Sequence, residues 1–264
     1  MSRWLYRLLL MFLILYIIVP LLMPVIFSFS IFWQDIFPQG FTLRWYEAII
    51  TRPKNYSALM VSLIVATGAV LLDFIICVPA AYALNRLETP VGKRLRALSA
   101  VLPLVFPPVI VGTALVLAFS RPPLALTGSI FMVIVAHALI GFPFMFRNTL
   151  ASFRTIDERT LSEAAASLGA TLWQRMRYVI VPNVLPGVLA GALLVFAISI
   201  GEFEVTSMVA GFTAQTLPLQ LFQQIRNDMR IASAISAFLV YVSVLSFLGM
   251  NYLGRKMQGL SQQQ

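Results

Sequence analysis

Charge is scarce in this chain: only 11% of its residues are Asp, Glu, Lys or Arg, where soluble domains carry about a quarter. Acid is scarcer still, at 10 residues against 19 bases, and cysteine and histidine occur once each, as Cys77 and His137. A lone cysteine excludes an internal disulfide, and one His with one Cys excludes the usual zinc clusters and a Cys–His catalytic pair. No G-x-x-x-x-G-K-[ST] loop is present to cradle nucleotide phosphates, and no G-x-S-x-G elbow to present a serine. No catalytic residue, metal site or cofactor bound by this chain is therefore expected. Long polar stretches are missing too, so the reading is a single membrane domain over residues 1–264.

What the chain has is apolar length, with 59% hydrophobic residues and a mean hydropathy of +0.88. A helix crossing a ~30 Å hydrocarbon core needs about 20 mostly apolar residues. Six runs qualify: 8–33, 57–84, 97–119, 128–146, 183–201 and 231–253. The first follows Arg3 and Arg7 but is too long for a signal-peptide core and lacks an A-x-A cleavage pattern, so it is read as a retained span. The fold class expected is all-α, a polytopic membrane protein with six transmembrane helices. The formal charge of +9 then reflects membrane orientation rather than nucleic acid, for which no partner role is expected. With alternating sides, the termini and loops 85–96 and 147–182 hold 13 of the 19 bases and the opposite loops hold 6. Because Lys and Arg are retained inside, both termini are expected in the cytoplasm of a bacterial inner membrane.

Polar groups within the spans each need an account, since a charge at mid-helix costs about 2.5–3.5 kcal/mol on insertion scales. Asp73 is the acid well inside a span, and reads either as pathway lining or as a structural, hydrogen-bonded group. His137 reads as a hydrogen-bonded packing residue. Ser199, Glu202 and Thr206 at i, i+3 and i+7 would share one face of a continuous helix, with Glu202 ~22 Å along it from Gly187 and Glu204 pointing away. They are the candidate substrate pathway, against interfacial solvation at the helix end as the plainer reading of Glu202. Gly187 and Gly191 form a small-xxx-small pair that admits a close neighbour. The prolines in the spans read as packing kinks or as edges of a lined pathway.

The most informative stretch is the loop 147–182. Asp157 caps a short alanine-rich helix through Glu163, Ala164, Ala165 and Ala166; Gly169 suits the left-handed position that ends it; Thr171 with Gln174 opens a second helix running to Pro182. Helix, glycine elbow and helix make either a docking element or an amphipathic surface hairpin.

Glu163-Ala164-Ala165, Gly169 and Pro182 resemble the EAA signature, EAA-x3-G-x9-I-x-L-P, of permeases in ATP-binding-cassette importers of the type I fold. Val179 and Val181 stand for the usual Ile and Leu. FTLRWYEAII, PAAYALNRLETPVGKRLR and the stretch 197–221 look like the spermidine/putrescine branch, although Gly201-Glu202 replaces its frequent Asp-Asp. The resemblance implies that Glu163, Ala164, Ala165, Gly169 and Pro182 couple the chain to a separate ATP-binding-cassette ATPase dimer that uses the ATP. It also implies a second, homologous permease subunit, an external solute-binding protein and a lipid surround. The function expected is uptake of a small solute, polyamine-like first, with a phosphonate, ferric iron or another small solute as the alternative. A stand-alone secondary transporter or channel is the rival class, and an intramembrane enzyme lacks a nucleophile and base.

Overall fold

The computed structural model describes residues 3–33 and 37–261; residues 34–36 of the first outer loop lie outside the described residues. Helix α1 (Arg3–Ser28) leads through a hairpin of β1 (Ser30–Phe32) and β2 (Gln39–Phe41) into α2 (Arg44–Thr51) and α3 (Pro53–Arg86). Then come α4 (Pro90–Val105), α5 (Pro108–Phe119), α6 (Ile130–Thr155) and α7 (Glu158–Ser167). The chain ends with α8 (Leu172–Arg175), α9 (Val181–Gly201), α10 (Glu204–Val209), α11 (Leu217–Asn227) and α12 (Met229–Ser261).

Five helical stretches are long and apolar enough to cross a membrane, Arg3–Ser28, Pro53–Arg86, Ile130–Thr155, Leu172–Gly201 and Met229–Leu253, with α5 a shorter apolar helix. The run 97–119 is thus not one helix. Pro107 and Pro108 together withhold two amides, and a residue before proline is pushed out of the helical region, so Phe106 sits extended at ψ 123° between α4 and α5. The first span also ends earlier than its apolar run. Residues 30–32 pair antiparallel with 39–41, Ser30 opposite Phe41, and the Trp45 indole donates to the Ser30 carbonyl at 2.8 Å, pinning the hairpin to α2. Two short strands therefore interrupt the all-α expectation.

Elsewhere the helices outrun the hydrophobic segments. Nothing in the sequence stops α6 at Arg147, so it continues to Thr155, and the predicted loop 147–182 shrinks to α7 with its two connections. Hydropathy marks where lipid ends, and helix geometry does not depend on it. The single prolines at 20, 24, 79, 143 and 186 lie inside helices, as membrane helices allow.

Helices α3, α6 and α9 form the centre, with α12 packed on α9. Met145, Phe146, Phe153, Ile180 and Val184 fill one end of it; Val65, Met132, Val133, Val205 and Val209 fill the other. Gly187 and Gly191 let α9 approach α6: a Cβ at Gly187 would lie 2.5 Å from Ser152 Cβ, and one at Gly191 3.1 Å from the Met145 Cα. The small-residue pair thus serves packing between these two helices. The side chains of α1 face outward almost throughout, as a lipid-facing surface requires.

Candidate functional site

The site is built on α7 and its two ends. Asp157 Oδ1 accepts from the Thr160 amide at 3.3 Å, and the hydrogen bonds from Thr160 hold its carboxyl below the usual range. At the far end the Gly169 amide reaches the Ala166 carbonyl at 2.9 Å and the Ala170 amide the Ala165 carbonyl at 3.1 Å. This is a Schellman stop, and it needs the φ of +79° that Gly169 adopts. Thr171 and Gln174 then close a reciprocal capping box at 2.8 and 3.3 Å. The helix, elbow and helix read from the sequence are present as expected.

Pro182 acts one turn later. Having no amide, it leaves the Tyr178 carbonyl without its helical partner, and the backbone widens into a π-turn over Met176–Ile180. The Val181 amide bonds to the Met176 carbonyl across that turn. The elbow therefore feeds into the spanning helix α9 without a break in helical direction.

Helix α7 has two unlike faces. Glu158 and Ser162, four residues apart, point inward. Glu158, only 3% exposed, receives two hydrogen bonds from the Arg86 guanidinium at 2.7 and 3.1 Å, and Ser162 Oγ accepts from Arg175 at 3.1 Å. Arg86 also lies 4.8 Å over the Tyr82 ring, which packs on Phe153. The end of α3, the inner face of α7 and the start of the α8–α9 helix are thereby tied together. Outward, Glu163 and Ala164 are exposed, beside Leu168 at 89% and Trp173 at 70%. Apolar side chains so bare at a polar end of the molecule mark an interaction surface. Neither Arg86 nor Glu158 was singled out from sequence; the signal available was the i, i+4 pair of Glu158 and Ser162 one position out of phase with Glu163.

The intramembrane candidates are rearranged. Helix α9 ends at Gly201, Glu202 is extended at ψ 122°, and α10 starts afresh at Glu204, so Ser199, Glu202 and Thr206 do not lie on one continuous helical face. Glu202 Oε1 instead accepts from the Val205 amide at 2.9 Å, capping α10. Ser199 and Thr206 are both buried, and His137 of α6 joins them: Nδ1 lies 2.7 Å from Ser199 Oγ and Nε2 2.7 Å from Thr206 Oγ1. Asp73 is buried against Gly141, where an added Cβ would stand 2.7 Å from Asp73 Oδ2, and that oxygen has no hydrogen-bond partner among the described residues. The interhelical hydrogen bond offered as its structural reading is absent at that atom.

The imidazole bridges α6, α9 and α10. His137→Leu is expected to strand two buried hydroxyls, at about 1–3 kcal/mol each. The thermal unfolding midpoint of the detergent-purified protein should fall, whereas His137→Gln, which keeps a donor and an acceptor, should restore part of it. An unchanged midpoint in His137→Leu would show the bridge to be dispensable.

Residues 78–259 match the family model described as the binding-protein-dependent transport system inner membrane component. The chain belongs to that family. It is 35% identical over 223 residues to the molybdenum transport system permease ModB of Mycobacterium tuberculosis, covering 78% of this chain and 82% of that one. It is 29% identical over 231 residues to a protein named as the 2-aminoethylphosphonate transport system permease PhnV of Salmonella typhimurium, covering 87% and 86%. A crystal structure of a bacterial alginate ABC transporter with its periplasmic protein aligns at TM-score 0.67, 18% identity, over 98% of this chain and 95% of that one. The MetNI methionine transporter aligns at TM-score 0.59, 19% identity, over 78% and 99%. At those identities the two structures establish the fold alone, that of type I ABC importer permeases. This permease is thus a multi-pass, membrane-embedded transport subunit of an ABC importer for a small solute, and not an enzyme.

Proposed function

We propose that this permease carries a small tetrahedral oxyanion, molybdate first, through the membrane. The observation that carries the reading is its 35% identity to a molybdenum permease over most of both chains, since molybdenum in neutral water is the molybdate dianion. An aminoethylphosphonate is the second reading, favoured by a relative that covers more of the chain at lower identity. Neither relative points to a polyamine, and the geometry explains why the sequence suggested one. Glu202 looked available to attract a cation, but its carboxylate is engaged as the cap of α10, and that supports the structural reading of this acid.

In this reading residues 1–264 are one transmembrane permease domain with both termini in the cytoplasm. Glu163, Ala164, Ala165 and Gly169 with the bare Leu168 and Trp173 form the surface that meets a cytoplasmic ATPase dimer, which binds the ATP. Pro182 directs that movement into α9. A second permease subunit and an external binding protein complete the importer.

Proteoliposomes holding the permease with its ATPase, partner permease and binding protein test the cargo. They should take up radiolabelled molybdate in an ATP-dependent manner and leave spermidine outside. Glu202→Gln retains an oxygen to cap α10 and is expected to leave molybdate uptake within about two-fold of wild type, a change well under 1 kcal/mol. Uptake of spermidine, reduced by Glu202→Gln, would overturn the oxyanion reading, and uptake of 2-aminoethylphosphonate alone would select the second one.

A further inference from the structure

A second cavity lies between α4 and α6, about 490 Å³ in volume, at the end of the bundle that carries α7. Its walls carry Lys93 and Arg96 from α4 and Arg147 and Arg154 from α6; Ala97 and Leu150 lie between them. The spacing is what places them together. Arg147 and Arg154 stand seven residues apart, two turns along one face of α6, and Lys93 and Arg96 stand three apart on the α4 face packed against it.

No carboxylate lines this cavity. The neighbouring cavity beneath α7, which shares Arg154, is lined by Glu88, Asp157, Glu158 and Glu163 as well as by arginines, so its charges are balanced from within. Of the four cations between α4 and α6, Arg96 donates to the Leu84 carbonyl at 2.8 Å. Lys93, Arg147 and Arg154 have no ion pair or hydrogen bond among the described residues. Four positive charges converging on one hollow repel one another unless an anion from outside the chain joins them.

Depth and surroundings say which anion. The fourth apolar run ends at Phe146, so Arg147 stands where hydrocarbon gives way to headgroups. The side of α4 just beyond Ala97 is apolar and bare, with Leu98 55% and Val101 54% exposed. A ligand filling this place presents negative charge to the cations and an alkyl chain to α4. Basic hollows between spanning helices at this level suit anionic lipid headgroups.

We propose that the hollow between α4 and α6 binds the phosphate of an anionic phospholipid, whose acyl chain lies along Leu98 and Val101. The lipid neutralises the four cations and bridges α4 to α6 at the foot of the coupling region. This does not depend on which solute is carried.

Native mass spectrometry of the detergent-purified transporter, with its partner subunits, reads the lipid directly. Titration with phosphatidylglycerol should give adducts that survive activation, and phosphatidylcholine should not. At about five-fold in affinity for each basic group removed, Arg147→Gln with Arg154→Gln is expected to weaken phosphatidylglycerol binding about thirty-fold. Arg147→Lys with Arg154→Lys, which keeps the charge and guards against a folding artefact, should retain it. Arg52→Gln with Lys54→Gln, at the opposite end, removes the same charge and should leave binding unchanged. Equal losses in the two glutamine pairs would overturn the site. So would inorganic phosphate adducts lost in Arg147→Gln/Arg154→Gln without any preference for phosphatidylglycerol over phosphatidylcholine, which would assign the hollow to a free oxyanion.

Discussion

Replacing Arg86 with alanine is expected to abolish transport while the chain still inserts in the membrane. Glu158 is 3% exposed and its two described hydrogen bonds come from the Arg86 guanidinium, so the substitution leaves a carboxylate buried without its charge partner. Breaking a buried pair costs roughly 3 kcal/mol at the low end of the usual range, the fitting end here because Arg86 is 41% exposed. That cost exceeds what the inner face of so short a helix retains once Ser162 alone holds it to Arg175, so α7 should swing away from α3. The ATPase subunits would then hydrolyse ATP at a basal rate that substrate-loaded binding protein no longer raises. Arg86→Lys should recover part of the coupling, since lysine keeps the charge but cannot make the two-pronged contact. Exchanging the pair, Arg86→Glu with Glu158→Arg, should recover less, because an arginine at 158 must fit a site that holds a carboxylate. Full transport by Arg86→Ala would show that α7 is held by its other contacts and that the ion pair is dispensable.

The extent to which this molecule is legible in sequence divides along a physical line. Apolar length identified the crossing segments, because hydrocarbon thickness leaves few choices. Local chemistry identified the α7 elbow, because Asp157, Gly169 and the Thr171–Gln174 pair each satisfy backbone groups a few residues away. What failed depended on partners distant in sequence. Arg86 and Glu158 are 72 residues apart, and His137 finds Ser199 and Thr206 62 and 69 residues away, so no periodicity within one element reveals either set. The error over Ser199, Glu202 and Thr206 has a different source. An i, i+3, i+7 pattern indicates one face only if the helix continues, and the break after Gly201 carries no proline to announce it.

Gly169→Val is expected to lose most of the coupled transport, Gly169→Ala an intermediate share, and Gly169→Asn the least. The ordering follows from the backbone alone. Gly169 holds φ +79°, and a Cβ built there meets nothing within 4 Å, so added side-chain bulk finds open space. A branched residue at this φ carries strain on the order of 1–3 kcal/mol, alanine about 1–2, and asparagine less because it tolerates the left-handed region. To escape the strain the chain must leave φ > 0, and then the Ala170 amide no longer reaches Ala165 nor the Gly169 amide Ala166. The direction in which α7 joins the α8–α9 helix changes with them, and Glu163, Leu168 and Trp173 cease to form one surface. Binding-protein-stimulated ATP hydrolysis and solute uptake, measured on the same proteoliposomes, separate this from simple instability. Docking that is misdirected lowers uptake per ATP, whereas loss of folded permease lowers both together. Asparagine and valine variants with equal uptake would mean that the positive φ does not set the geometry of coupling, and that the glycine stands here for lack of a side chain rather than for its backbone.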